Sequence, residues 1–282
     1  MTLSWYVAAS ILNRKVLIMS IKFSPRALWA ALATLAFTLI ASTAFATHSW
    51  NGYHWARTAN PFTLMLGDNL TSNWGAYLAT TSSSWSQSTV LDTTVVAGQT
   101  SPRRCRPPSG RVEVCNLTYG NNGWLGVASI SISGGHITQG SVKVNDTYFN
   151  TATYNTSAWR NLVMCQEVGH TLGLDHQDTT FDNPNLGTCM DYTNDPSTNQ
   201  YPNKHDYDEL VIIYTHLDSS NTVGQAVNLL GAVGDFNSRA EWGRLVRASA
   251  NGRNEVYELD FGNGNKIYTF VIWALEGDSH RR

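Results

Sequence analysis

The run Cys165-Gln166-Glu167-Val168-Gly169-His170-Thr171-Leu172-Gly173-Leu174-Asp175-His176 decides how the rest of this chain is read. Residues 157–172 predict the helix that carries its first half. Thr156 or Ser157 is placed to cap it, Leu162, Val163, Val168 and Leu172 give it an apolar face, and Gly173 stops it. On that helix Gln166 and His170 stand four apart, about 400° of turn and about 6 Å of rise, so both side chains leave one face. Glu167 lies one residue round. Gly173 lets the chain turn sharply, and His176 can swing back as a third donor. Three protein donors with a fourth position open is the arrangement of a catalytic zinc ion. Such a metal acidifies a bound water, and a neighbouring carboxylate takes its proton. A lone Glu-x-x-His is common, and His170 alone would read as a satisfied polar residue. The spacing of the whole set carries the reading. Cys165 is five residues from His170, about 500° of turn, so it faces elsewhere and does not replace a ligand.

Outward from this segment, residues 177–203 form a long irregular stretch rich in Asn, Asp, Thr and Pro, a kind of loop that is usually functional. Asp175 and Asp178 flank His176 and could orient it, with solvation the simpler role for Asp178. Residues 206–216 predict a second helix that opens with acids, as the helix dipole favours, and His205 reads as a helix-start residue. Residues 218–222 read as a linker. Strands follow over 244–247, 255–261 and 267–273, with Gly262-Asn263-Gly264-Asn265 as a hairpin turn. Upstream, strands are predicted over 62–66, 93–96, 112–115, 129–133 and 141–145, and a Ser/Thr-rich helix over 74–92. His136, beside Gly134-Gly135, reads as a structural strand-edge residue, with substrate contact or a second metal as the other option.

The chain has 282 residues and a formal net charge of −2, and 42% of its residues are hydrophobic, enough for a globular core. A basic surplus typical of nucleic-acid binders is missing, so nucleic acid is not an expected partner. The first 46 residues hold Arg14, Lys15, Lys22, Arg26 and no acid, and the remainder carries 15 basic against 21 acidic residues. Lys22 and Arg26, the apolar run from Ala27 to Ile40 and Ala44-Phe45-Ala46 read as an export signal cleaved after Ala46. This implies a secreted protein with no stable membrane insertion after cleavage. Four cysteines in an oxidising compartment suggest two disulfides, with three possible connectivities. Cys105 and Cys115 flank a Pro/Arg-rich loop and suit a local bridge, which leaves Cys165 with Cys189.

The quoted segment resembles the metzincin signature H-E-x-x-H-x-x-G-x-x-H. Glu167, His170, Gly173 and His176 match it, and Gln166 stands where the first His belongs. Gly187-Thr188-Cys189-Met190-Asp191-Tyr192 resembles the methionine turn of that family, and the glycine-rich region 126–137 looks like its matrixin branch. The resemblance covers about residues 58–217 and implies an α+β peptidase domain with a twisted mixed sheet, an active-site helix and a closing helix. It implies one Zn2+ held by Gln166, His170 and His176, with Glu167 as general base, Met190 as a floor under the site and Tyr192 as a group that steadies the transition state. Protein or peptide substrates would be held as an added strand on the sheet edge nearest the cleft. Nothing in the sequence assigns Ca2+ or an oligomeric state. Gln offers a poorer zinc donor than imidazole. A Cys165–Cys189 bridge would tie the helix to the methionine turn and hold the site against that weaker ligand. The expected organisation is a signal over 1–46, a peptidase domain over 47–217, and a linker with a small β-rich appendage over 218–282. The competing reading is a catalytically degenerate protein that binds peptides or surfaces, for which the ten tryptophans would serve as exposed aromatics.

Overall fold

The computed structural model describes residues 47–224 and 235–275, and the export signal read over 1–46 lies outside the described residues. No helix among the described residues is long and apolar enough to cross a membrane. The strands are β1 (His54–Trp55), β2 (Phe62–Asn69), β3 (Leu91–Ala97), β4 (Val112–Leu117), β5 (Trp124–Ser133), β6 (His136–Asn145), β7 (Arg244–Ala248), β8 (Asn254–Gly262) and β9 (Asn265–Trp273). The helices are α1 (Ser72–Trp85), α2 (Asp146–Phe149), α3 (Ser157–Thr171), α4 (Lys204–Ile213) and α5 (Arg239–Trp242). The fold is α+β. One mixed sheet runs in the order β3-β2-β4-β6-β5-β9-β8-β7, with β1 on β6. Its first half is parallel up to β6, and everything from β5 to β7 is antiparallel.

Two boundaries move relative to the sequence reading. The helix expected over 74–92 ends at Trp85 because Ser86 turns its hydroxyl onto Thr93, accepting that residue's N–H at 2.8 Å, and Leu91 already pairs with Phe62 of β2. The helix expected over 206–216 runs from Lys204 to Ile213. Asn203 caps it by accepting the N–H groups of His205 and Asp206, while Asp206 accepts the Asn203 N–H at 2.7 Å.

The larger difference concerns the C-terminal strands. Expected as a separate appendage after 218, they are the far half of the same sheet, because β9 pairs with β5 from Trp124↔Trp273 to Ile132↔Lys266. The pleat explains why. Alternate residues of a strand face opposite ways, and β9 is apolar on both faces. Phe270 and Ile272 join the main core with Leu125, Ala128 and Ile130 of β5, whereas Val271 and Trp273 join a second cluster with Trp124, Val127, Trp242 and Tyr257. A strand apolar on both faces belongs inside a sheet. Between the two strands the hydroxyls of Ser129 and Thr269 lie 3.1 Å apart. At the β8–β9 turn, Asn263 and Gly264 both take positive φ, 53° and 75°, as a tight hairpin of this type requires. All eight tryptophans among the described residues are buried, which removes the exposed aromatics that a surface-binding reading relied on.

Candidate metal centre

Helix α3 packs its second half between β5 and the loop that holds Met190. Thr156 caps it, its hydroxyl accepting the Trp159 N–H at 3.2 Å. The sheet comes very close at Gly126. A Cβ there would lie 2.6 Å from Val163 Cγ1 and 2.7 Å from Glu167 Oε1. On the other side a Cβ at Gly169 would lie 2.5 Å from Met190 Sδ and 2.7 Å from Trp85 Cζ2. Two glycines therefore set the helix depth. Cys165 is bonded to Cys189, and Cys105 to Cys115.

Gln166, Glu167, His170 and His176 are all buried, with exposures of 1%, 1%, 1% and 6%. The rings of His170 and His176 are 4.5 Å apart. Gln166 Nε2 donates to the Cys189 carbonyl at 2.9 Å, and since that carbonyl can only accept, the amide must turn its nitrogen there. Gln166 Oε1 is left buried without a partner. The carbonyl that orients Gln166 thus belongs to a cysteine of the disulfide. His170 Nδ1 donates to the Leu174 carbonyl at 2.9 Å, which makes Nε2 the lone-pair nitrogen of the neutral ring. Both ring nitrogens of His176 lack a hydrogen bond, and its Nδ1 sits 3.5 Å from Asp175 Oδ1. Burial, aided by the neighbouring His176, holds His170 well below the usual imidazole range. Burial likewise pushes His176 down to about 4 against the pull of Asp175. Both rings are neutral at neutral pH and so can act as ligands. Glu167 accepts the Ala128 N–H, while its Oε2 has no partner, and burial raises its pKa well above the carboxylate range. An orphaned amide oxygen, two neutral imidazoles and an orphaned carboxyl fit a divalent cation, since buried polar groups otherwise find partners.

Tyr192 lies with its ring 4.1 Å from that of His176 and 4.9 Å from that of Phe181, and burial raises its pKa. Met190 is fully buried against Gly169. Asp175 forms an ion pair with Arg247 of β7, and its Oδ1 accepts the His176 N–H at 2.7 Å. His176 and Arg247 together hold the Asp175 carboxyl far below its usual range, although burial opposes them. Asp178 instead caps its own loop, accepting the Thr180 N–H at 2.6 Å. Two residues that the sequence reading did not single out belong here. Phe270 of β9 stacks flat on His170, 4.2 Å away at 8°, and Arg247 secures Asp175. The apolar face that β9 turns toward α3 was the available signal for Phe270. The edge of β5, expected to be open for an added substrate strand, is taken by β9. A surface pocket bounded by Phe181, Tyr192, Arg247 and Ser249 opens next to the site.

No family model matches the chain, and no curated protein matches it in sequence. Among solved structures it is similar to high choriolytic enzyme 1, a hatching-enzyme zinc-protease from the medaka Oryzias latipes, at 11% identity and a TM-score of 0.33, over 59% of this chain and 96% of that one.

Proposed function

We propose that the chain is a secreted zinc-dependent endopeptidase of metzincin type, held closed by its own C-terminal strand. The observation that carries this reading is the close pair of neutral rings His170 and His176, 4.5 Å apart, on a helix and turn that also bury an unpartnered Gln166 Oε1 and an unpartnered Glu167 carboxyl oxygen. Gln166, His170 and His176 would hold the ion. Bound there, zinc would acidify a water and polarise a peptide carbonyl. A cation nearby would favour the charged form of Glu167, opposing the burial that raises its pKa. Glu167 then takes the water's proton and passes it to the leaving amine. Tyr192, packed on His176, would help a developing oxyanion with its hydroxyl. The Cys165–Cys189 bridge compensates for the weaker ligand, since the Cys189 carbonyl fixes the Gln166 amide.

On the family resemblance, β5 is the strand that would receive substrate backbone. Here β9 makes those hydrogen bonds, and Phe270 covers His170. Peptide can enter only when β9 leaves. The test is digestion of a mixed peptide library with zinc supplied. It compares the intact chain, a chain cut at a protease site inserted after Gly224, and the Glu167→Ala version of each. The cut chain should give the most products, the intact chain fewer, and both Glu167→Ala proteins none. Silence from the cut chain with zinc bound and β9 displaced would favour the competing reading, a non-catalytic peptide binder.

A further inference from the structure

A second set of donors lies near the C-terminal end of α3 and shares no residue with the site above. His54 is the first residue of β1, His136 the first of β6, and His216 and Asp218 follow α4. Strand pairing sets His54 beside His136. The three Nε2 atoms lie 3.4, 3.2 and 3.6 Å from Asp218 Oδ1 for His54, His136 and His216 respectively. His54 Nε2 and His216 Nε2 are 3.1 Å apart. We propose that His54, His136, His216 and Asp218 form a tetrahedral site for a zinc ion that braces the fold rather than taking part in hydrolysis.

The distances suit the ion. Zinc bonds of about 2.0–2.1 Å in a tetrahedron place the donors about 3.3 Å from one another. The four separations above, from 3.1 to 3.6 Å, lie around that edge length, and His54, His136 and Asp218 each offer a ligand atom within 4.8 Å of the other two. Three imidazoles and one carboxylate form a closed set with no position for water, which marks a structural site. The outer contacts agree. His54 Nδ1 donates to the Gly52 carbonyl at 2.8 Å, so the neutral ring turns its Nε2 lone pair toward Asp218 and His216. Asp218 Oδ2 accepts from Arg57 Nη1 at 2.7 Å and from the Arg57 backbone N–H at 3.1 Å, which leaves Oδ1 for the histidines. Three imidazolium rings around one carboxylate already paired with Arg57 would leave a large positive excess. Without a cation, the best alternative is a hydrogen-bond chain in which His216 donates to His54 and His136 donates to Asp218. That chain leaves the contact of His54 Nε2 with Asp218 Oδ1 at 3.4 Å without a proton.

The ion would fasten the end of α3. Trp55, next to His54, donates Nε1–H to the Thr171 carbonyl at 2.8 Å, and Tyr214 donates its hydroxyl to the Leu172 carbonyl at 2.9 Å. The test is a titration of the metal-free full chain with ZnCl2, read by native mass spectrometry and by 15N shifts of the histidine rings. The Nε2 signals of His54, His136 and His216 should move together at one zinc equivalent. Because the His216 side chain is 55% exposed, His216→Ala should fold normally. It should weaken that equivalent by at least about tenfold, in line with other losses around a zinc site. Cobalt(II) in the same site should give the absorption of a tetrahedral centre without thiolate bands. Ring signals that stay in place under saturating zinc would overturn the proposal and leave the hydrogen-bond chain. The same holds if zinc stoichiometry and affinity are equal in wild type and His216→Ala. These readouts do not depend on hydrolysis, so an inactive peptidase would not decide them.

Discussion

The two donor sets invite comparison. Gln166, His170 and His176 fall within eleven consecutive residues, lie on one helix and the turn after it, and are buried under Phe270. His54 and Asp218 are 164 residues apart, and the His216 ring beside them is half exposed. The first set is made by a local spacing and closed by a distant strand. The second is made entirely by distant elements and left open at the rim. A buried set needs a way in for its ligand, whereas a rim set exchanges with solvent directly.

The largest effect that separates them should come from Phe270→Ala. Removing a fully packed aromatic costs about 3–5 kcal/mol, readable as a lower denaturant midpoint. It should also speed chelator removal of zinc from the buried set without changing the rate at the rim. Equal rates in wild type and variant would break the idea that β9 is the cover. Gly169→Ala comes next. Its Cβ meets Met190 and Trp85, and such overpacking costs about 1–3 kcal/mol. Zinc affinity should fall at the buried set alone, measured by competition with a coloured chelator. Arg247→Ala frees Asp175 from its ion pair and loosens its hold on His176. Affinity at the buried set should drop about 10–100-fold, again by competition, and a drop at the rim instead would reverse the comparison. The smallest effect belongs to His216→Ala without metal. An exposed side chain of this kind changes stability by no more than about 0.5 kcal/mol. With zinc present, the variant should lose the rise in melting temperature that the wild type gains.

The sequence made the local part legible for a physical reason. Helical periodicity fixes which of Gln166, Glu167 and His170 share a face, and Gly173 marks the turn that returns His176. The hairpin at Gly262–Asn265 was equally readable, because only a few residue types accept two successive positive φ angles. What could not be read is which strand neighbours which. Residues 267–273 alternate correctly for a strand, but nothing local says that its partner is β5 rather than another edge. The open substrate edge and the separate appendage were both expected for that reason. His136 illustrates the limit from the other side. Its surroundings became metal-like only when β1 and the segment after α4 arrived beside it.

The Ser129–Thr269 contact has a bearing on the order of assembly. It closes a loop of 140 residues, and contacts of such long range form late, because the chain loses much freedom before they reward it. The parallel half of the sheet and α3 draw on shorter separations, and all of their residues precede β9 in the chain. During synthesis, the donors of the buried site emerge first and the strand that covers them emerges last. In this molecule the donors are made before their cover, and each newly made copy passes through a moment in which the edge of β5 is free.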